Sequence, residues 1–402
     1  MKYIAIIGYG VVGGGITAVL EANREYIKKA VGDDVDVKYI LDLRDFPDSP
    51  YADRIVHEIT PILEDGDVSL VCETMGGSHP AFEYSISCMK AGKSVVTSNK
   101  EVVANFGDEL LRCAKENGVS YMFEASVGGG IPVLRPFRTS LAGEQISAVS
   151  GIVNGTTNFI LTKMKNEKRD FDDVLREAQL LGFAEANPSA DIDGIDAQRK
   201  IIILAALASG ILADGSEVYA ETLRNVTMDD IAAADRMDAE IKLIAGAKIG
   251  DTLEAYVCPM IVPHSDPLSH VSDVYNGISV TSPVSGDIMY YGRGAGRYPT
   301  AGAVMSDAVA VLSGAAAAEY VPVFEKKAGS VKNFDEIAFT YYIRAEIGKA
   351  ELTEALTHAA DEVEVLSDEN GITEVKAGKM TRPELDKALC GVKLLSVIRI
   401  KE

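Results

Sequence analysis

The sequence predicts an α/β protein in three parts: a parallel-sheet domain, a mixed α/β domain and a small βαββαβ tail. Three observations carry this. The first apolar run ends in a glycine turn that opens a helix, short apolar runs then alternate with helical stretches as far as Pro132, and beyond residue 334 the strand and helix signals follow in the order β, α, β, β, α, β. Regular alternation builds a parallel sheet, and its loss after Pro132 marks a change of architecture.

Tyr3 to Ile7 is the first strand, Gly8-Tyr9-Gly10-Val11-Val12-Gly13 follows it, and helical spacing begins at Ile16. This is the dinucleotide fingerprint in its required context, so the domain over 1–132 is Rossmann-type. Gly8 permits the tight turn, Gly10 lets a pyrophosphate approach the backbone, and Gly13 lets the helix pack on the strand. Val35 to Leu41 reads as the second strand, with Asp42 and Arg44 at its end. An acid there suits the ribose hydroxyls of NAD and an arginine the 2′-phosphate of NADP; the chain offers both. Val68 to Glu73 and Ser94 to Thr97 are further strands, ending in Thr74-Met75-Gly76-Gly77 and Ser98-Asn99-Lys100 at the sheet edge where open α/β proteins bind ligands. Tyr121 to Ala125 is the fifth, followed by Ser126-Val127-Gly128-Gly129-Gly130-Ile131-Pro132.

The second domain spans 133–299. Ser147 to Val153 reads as a strand, Asn154-Gly155-Thr156-Thr157-Asn158 as a polar turn, and Phe159 to Met164 as a helix start. The stretch from Gly182 to Lys200 is the least ordinary in the chain: it sets Glu185, Asp191, Asp193, Asp196 and Lys200 before Ile201 to Ala208, a segment apolar on nearly every face and therefore buried. Asp196 and Lys200, four apart, share a helix face. Read locally, they are either a helix salt bridge or a lysine set beside a carboxylate for proton transfer. Leu253 to Val262 and Gly277 to Thr281 are strands of a mixed sheet. A second glycine loop, Gly292 to Thr300, opens a small-residue helix whose segment 300–314 is expected to pack back on the first domain; locally the loop reads equally as an anion site or a plain turn. After a linker from Gly314 to Lys332, the tail over 334–402 runs through strands at Phe339–Ile347, Glu362–Leu366, Thr373–Ala377 and Val392–Ile400, with helices at Glu351–Ala360 and Arg382–Leu389. This split βαβ order resembles the ligand-sensing ACT module, although Glu346-Ile347-Gly348-Lys349 stands where many such modules carry an Asp-x-Pro-Gly effector turn.

Sixty acids against 39 basic residues leave a formal charge of −21, which argues against nucleic acid or an anionic membrane as partner. The N-terminus meets Gly8 without a cleavage region and no apolar run approaches the length of a membrane span, so a cytoplasmic protein is expected. The five cysteines are scattered and the five histidines lack zinc-ligand spacing, which implies neither a disulfide framework nor a zinc site.

Six motifs in order carry a family resemblance over essentially the whole length: the N-terminal glycine loop, Glu73-Thr74-Met75-Gly76-Gly77, Ser98-Asn99-Lys100, Asn154-Gly155-Thr156-Thr157-Asn158-Phe159, the acidic stretch to Lys200, and Gly294-Ala295-Gly296 with Pro299-Thr300. The chain resembles homoserine dehydrogenase. That resemblance implies interconversion of homoserine and aspartate semialdehyde by hydride transfer with NADP or NAD, in threonine and methionine biosynthesis, by a homodimer or homotetramer. It places the cofactor at Gly8, Gly10, Val11, Val12, Gly13, Arg44, Thr74, Ser98, Lys100 and Gly296. Lys100 and Lys200 match the two active-site lysines, and Glu185, Asp191 and Asp196 the acids around the substrate. Glu124, Val127, Gly129 and Ile131 match a monovalent-cation site, for Na+ or K+, built mostly from backbone carbonyls. The chemistry agrees, since oxidising a primary alcohol needs a base for its proton and a lysine can serve. Two alternatives remain open at this point: another Rossmann dehydrogenase of amino acids or semialdehydes, and a non-enzymatic amino-acid sensor, which would need no pair of lysines.

Overall fold

From Ile4 to Ile7 every residue of the first strand is buried, as in a strand covered on both faces. In the computed structural model, which describes residues 1–319 and 321–402, this strand is the centre of one of two compact units, made of Met1–Ser147, Ile202–Gly215 and Val280–Ala328. Its strands are β1 (Lys2–Ile7), β2 (Val35–Leu41), β3 (Ile55–Val56), β4 (Val68–Glu73), β5 (Ser94–Thr97) and β6 (Tyr121–Met122), paired in parallel in the order β3-β2-β1-β4-β5-β6. The order reverses between β1 and β4, so the loops that leave their C-terminal ends turn apart and open the crevice in which such sheets hold dinucleotides. The sequence reading missed β3, only two residues long, and overran β6: after Met122 the chain turns into a short 3-10 segment at Glu124–Ser126.

Helix Val11–Ala22 lies close on the sheet for a steric reason, because a Cβ on Gly13 would sit 2.1 Å from the Gly8 carbonyl oxygen. Helix Arg297–Leu312 packs on it through small residues; Ala301, Val304, Met305 and Ala308 share a core with Ile16 and Leu20.

The other unit comprises Ala148–Ile201, Ser216–Ser279 and Gly329–Glu402. Its strands are β7 (Ala148–Ile152), β8 (Tyr219–Ala220), β9 (Ala239–Lys248), β10 (Glu254–Pro263) and β11 (Tyr275–Ser282). The chain crosses the unit boundary within β11, β12 (Gly286–Arg293) belongs to the first unit, and the tail adds β13 (Phe339–Glu346), β14 (Val363–Glu369), β15 (Ile372–Met380) and β16 (Lys393–Ile400). The sheet runs β11-β7-β9-β10-β16-β13-β15-β14, with β8 beside β10. The strands β13, β14, β15 and β16, with helices Lys349–Leu356 and Arg382–Ala388, follow the βαββαβ order. They continue the same sheet rather than closing on themselves: β16 pairs in parallel with β10, and Tyr342, Ile398 and Ile400 share a core with Phe159, Ile160 and Ile261. The ten-residue strand β9 is absent from the sequence reading. Its glycine, alanines and lysines are weak strand formers, and what fixes it is a full antiparallel pairing with β10. Among the described residues, no helix is long and apolar enough to cross a membrane.

Candidate active site

The end of β2 carries a closed polar knot. The Tyr9 amide donates to Asp42 Oδ2 at 2.8 Å, while Arg44 donates to Asp42 through its own amide and Nε at 3.0 Å each and through a terminal nitrogen at 3.1 Å. Burial alone would raise the Asp42 carboxyl, but these donors outweigh it and hold the group at about 2. The Arg44 guanidinium is mostly exposed and lies 5.1 Å from the Phe46 ring centre. A cavity of about 670 Å3 opens beside it, lined by Tyr9, Gly10, Val11, Gly14, Arg44 and Arg297 among others. Gly8 takes φ +89°, a left-handed conformation that favours glycine, and the Thr74 hydroxyl braces it by donating to its carbonyl at 2.7 Å. Gly296 caps helix Arg297–Leu312 at φ +120°, and the Arg297 side chain reaches the Gly14 carbonyl at 3.0 Å.

Glu73 joins the ends of β4 and β5. Wholly buried, it accepts from the Thr97 hydroxyl and from the Met75 amide, each at 2.6 Å. Burial pushes its carboxyl up to about 7, even though the hydrogen bonds from Thr97, Met75 and Asn99 favour the ionised form. Thr97 Oγ1 in turn accepts from the Asn99 amide at 2.9 Å, and the Asn99 side chain donates to the Gly77 carbonyl at 2.8 Å. Asn99 also caps the helix that begins at Lys100, accepting from Val102 N. One buried acid therefore sets both loops that the sequence assigned to the cofactor, including Thr74, Ser98 and the half-buried Lys100.

The loop after β6 turns through Gly128 at φ +73° and Gly129 at φ +55°. A Cβ on Gly129 would meet the Gly294 backbone at 2.5 Å, so the approach of these two loops requires glycine. Glu124 is buried and accepts from the amides of Leu134 at 2.8 Å and Arg135 at 2.6 Å; burial, then the charge of Asp307, push its carboxyl up to about 7. Val127 and Ile131 are buried too. Among the described residues no cluster of three or more His, Cys, Asp or Glu is suited to a metal, and backbone carbonyls, which this loop is rich in, are donors that suit Na+ and K+.

In the other unit the acidic stretch folds around an asparagine. Asn154 Nδ2 donates to Asp191 Oδ1 at 2.7 Å and to Asp196 Oδ2 at 2.8 Å. Its Oδ1 accepts from Thr157 N at 2.9 Å, which caps helix Gly155–Glu167. Lys200, on helix Ile195–Ser209, donates to Asp196 Oδ2 and to the Val153 carbonyl, both at 2.7 Å. Asp196 and Lys200 are buried, Asp191 half-buried. Two acids, an amide and a lysine thus form one hydrogen-bonded polar cluster, whose groups are of the kinds that bind an ammonium group and pass a proton at an alcohol oxygen. The Glu185 side chain is exposed, and its backbone carbonyl accepts from Gln179 at 3.1 Å.

Sequence reasoning did not single out Asn154, Glu73, Thr97 or Asn99 as site residues. An acid closing an apolar strand before two glycines, and asparagines immediately before helices, were the signals available.

Two family profiles match the chain, "Homoserine dehydrogenase, NAD binding domain" over residues 8–124 and "Homoserine dehydrogenase" over residues 132–309. The chain is similar to the homoserine dehydrogenase of Bacillus subtilis, 40% identical over 314 residues that span 77% of this chain and 72% of that one. It is also similar to the crystal structure of a homoserine dehydrogenase from Thiobacillus denitrificans, at a TM-score of 0.90 and 30% identity over 100% of this chain and 98% of that one. A hyperthermophilic archaeal homoserine dehydrogenase mutant in complex with NADPH matches at a TM-score of 0.66 and 30% identity, over 77% of this chain and 98% of that one.

Proposed function

The chain belongs to the homoserine dehydrogenase family, and from that premise we propose the parts its residues play. It is an NAD(P)-dependent oxidoreductase that acts on a CH–OH group in amino-acid biosynthesis. Its substrates are homoserine and aspartate semialdehyde. The observation that carries the residue roles is the hydrogen-bonded cluster of Asn154, Asp191, Asp196 and Lys200.

Bound NAD(P) supplies the acceptor or donor of hydride. Gly8, Gly10, Val11, Val12 and Gly13 seat its diphosphate at the helix N-terminus, with Thr74, Ser98, Lys100 and Gly296 around the rest of the molecule. Lys200 is the proton-transfer group. As an ammonium it protonates the aldehyde oxygen in the reducing direction; as an amine it takes the hydroxyl proton in the oxidising one. Asp196 holds the lysine in place, and Asp191 takes the substrate ammonium, with the exposed Glu185 as a further acid at the rim. Lys100 is the second lysine of the reaction. Glu124 and the carbonyls of Val127, Gly129 and Ile131 would hold a monovalent cation.

On cofactor choice we favour NADP, because Arg44 is exposed and its partner Asp42 already accepts four hydrogen bonds. Support also comes from the NADPH complex of the archaeal relative. The tail is ACT-like and serves to pair subunits in a homodimer or homotetramer, without the Asp-x-Pro-Gly turn. A cytoplasmic setting accords with five unpaired cysteines, four of them buried. The deciding experiment follows absorbance of the reduced nicotinamide with homoserine and either cofactor. Reduction that depends on homoserine and is faster with NADP is expected; equal inertness toward both cofactors would refute the reading.

A further inference from the structure

Beyond the core that Ile398 and Ile400 share with Phe159, Ile160 and Ile261, the tail strand β16 meets β10 through a short ladder. β16 pairs with β10 at Met260–Arg399 and Ile261–Ile400, and ahead of those pairs the two strands part around a cavity of about 290 Å3 lined by Glu221, Thr222, Pro259 and residues 394–398 among others. At that joint Arg399 is buried. Its guanidinium lies 4.7 Å from the Phe334 ring centre, with Tyr219, Phe339 and Tyr341 also within 6 Å, and it donates to Glu221 Oε2 at 2.6 Å. A guanidinium taken out of water and packed among aromatic rings holds its carboxylate partner firmly.

The residue after Glu221 faces the acidic loop. Thr222 Oγ1 donates to Asp193 Oδ1 at 2.8 Å, and Arg224 Nε reaches the same oxygen at 3.4 Å. Asp193 lies between Asp191 and Asp196, and the next residue, Gly194, turns at φ +79° so close to 220–221 that a Cβ on it would stand 3.5 Å from Ala220 Cβ and from the Glu221 carbonyl oxygen. The turn between the two acids is thus seated on the segment that the tail arginine clamps, and the Glu221 amide pins that segment to β10 through Val257 at 2.8 Å.

We propose that Thr222 is a positioning residue for the acidic loop, and that Arg399 is the tail's hold on it through Glu221. The inference rests on the reading that Asp191 and Asp196 meet the substrate. Thr222→Val removes the bond to Asp193, together with the 3.3 Å bond that Thr222 Oγ1 accepts from the Arg224 amide, and should raise the homoserine KM about fivefold to thirtyfold. The cofactor KM should not move, and Thr222→Ser should restore the original value. Asp193→Ala, which cuts the same bond from the other side, should give the same pattern. Amide hydrogen exchange over 193–197 should quicken in Thr222→Val and in Arg399→Met, in full-length protein of unchanged circular dichroism. Unchanged exchange over 193–197 together with an unchanged homoserine KM in Thr222→Val would overturn the proposal. If the unmodified enzyme fails to oxidise homoserine, the functional reading falls, and the exchange rates alone still decide whether Thr222 and Arg399 position the loop.

Discussion

Glu73 makes a pH-dependent prediction that can be worked through from its surroundings. The carboxyl is buried at the end of β4, with the Thr97 hydroxyl and Met75 amide on its oxygens, and the buried Tyr121 phenol is pushed up by burial and by the Glu73 charge. It titrates at about 7 in the fold against an ordinary value of 4.5. Between those two values the folded chain holds a proton that the unfolded chain has released, so stability falls as pH rises through the window and the loss is complete above it. The difference amounts to about 3 kcal/mol at pH 8. Glu73→Gln keeps the size, can still accept from Met75 and can donate to Thr97, and cannot ionise. Relative to the parent, the variant should gain about 2–3 kcal/mol of stability between pH 5 and pH 8, read as the difference in urea unfolding free energy followed by circular dichroism at each pH. A difference that stays flat across that range would refute the claim that burial keeps this carboxyl protonated. The same variant should leave the loops that carry Thr74, Ser98 and Lys100 in place, because the hydrogen bonds between β4 and β5 survive.

Three further predictions concern the site. Lys200→Ala should lower kcat by about a hundredfold to ten-thousandfold while NADPH still binds, as checked by steady-state kinetics and cofactor fluorescence; near-normal turnover in folded protein would remove Lys200 from proton transfer. Arg44→Ala should raise the KM for NADP far more than that for NAD, and equal changes would remove Arg44 from recognition of the 2′-phosphate. Asn154→Ser keeps a helix cap but loses the amide that joins Asp191 to Asp196, so kcat/KM for homoserine should fall about tenfold to a hundredfold with the melting temperature held, whereas Asn154→Ala should lose about 0.5–2 kcal/mol of stability as well. Equal catalytic efficiency in Asn154→Ser and the parent would show that the two acids do not need the bridge.

What could be read from the residues alone follows from how local each signal is. Strands β1, β2, β4 and β5 and the glycine loop were legible because each is declared within a short window: an apolar run, then residues that only one kind of turn needs. The pairing of Asp196 with Lys200 was legible for the same reason, since a spacing of four on a helix fixes the contact, here 2.7 Å. Strand β9 was not, because its residues acquire strand character only from a partner strand. Asn154 was quoted in a motif, yet its bonds to Asp191 and Asp196 span 37 and 42 positions, a distance no local pattern encodes. Glu185 shares the acidic stretch with Asp191 and Asp196 and differs from them in burial: its side chain is exposed, whereas Asp196 is buried and Asp191 half-buried, a difference that composition does not encode. The tail makes the point at larger scale: its βαββαβ order was visible, but its union with the rest of the sheet rests on two residue pairs at the end of β16, on a core shared with Phe159, Ile160 and Ile261, and on ion pairs such as Arg399 with Glu221 and Arg344 with Asp229, none of which the tail's own residues declare. Arginine is ordinarily solvated; here the fold buries Arg399 to join the tail to the segment on which the loop carrying Asp191 and Asp196 rests, which is why the acids of this site cannot be understood from their own segment alone.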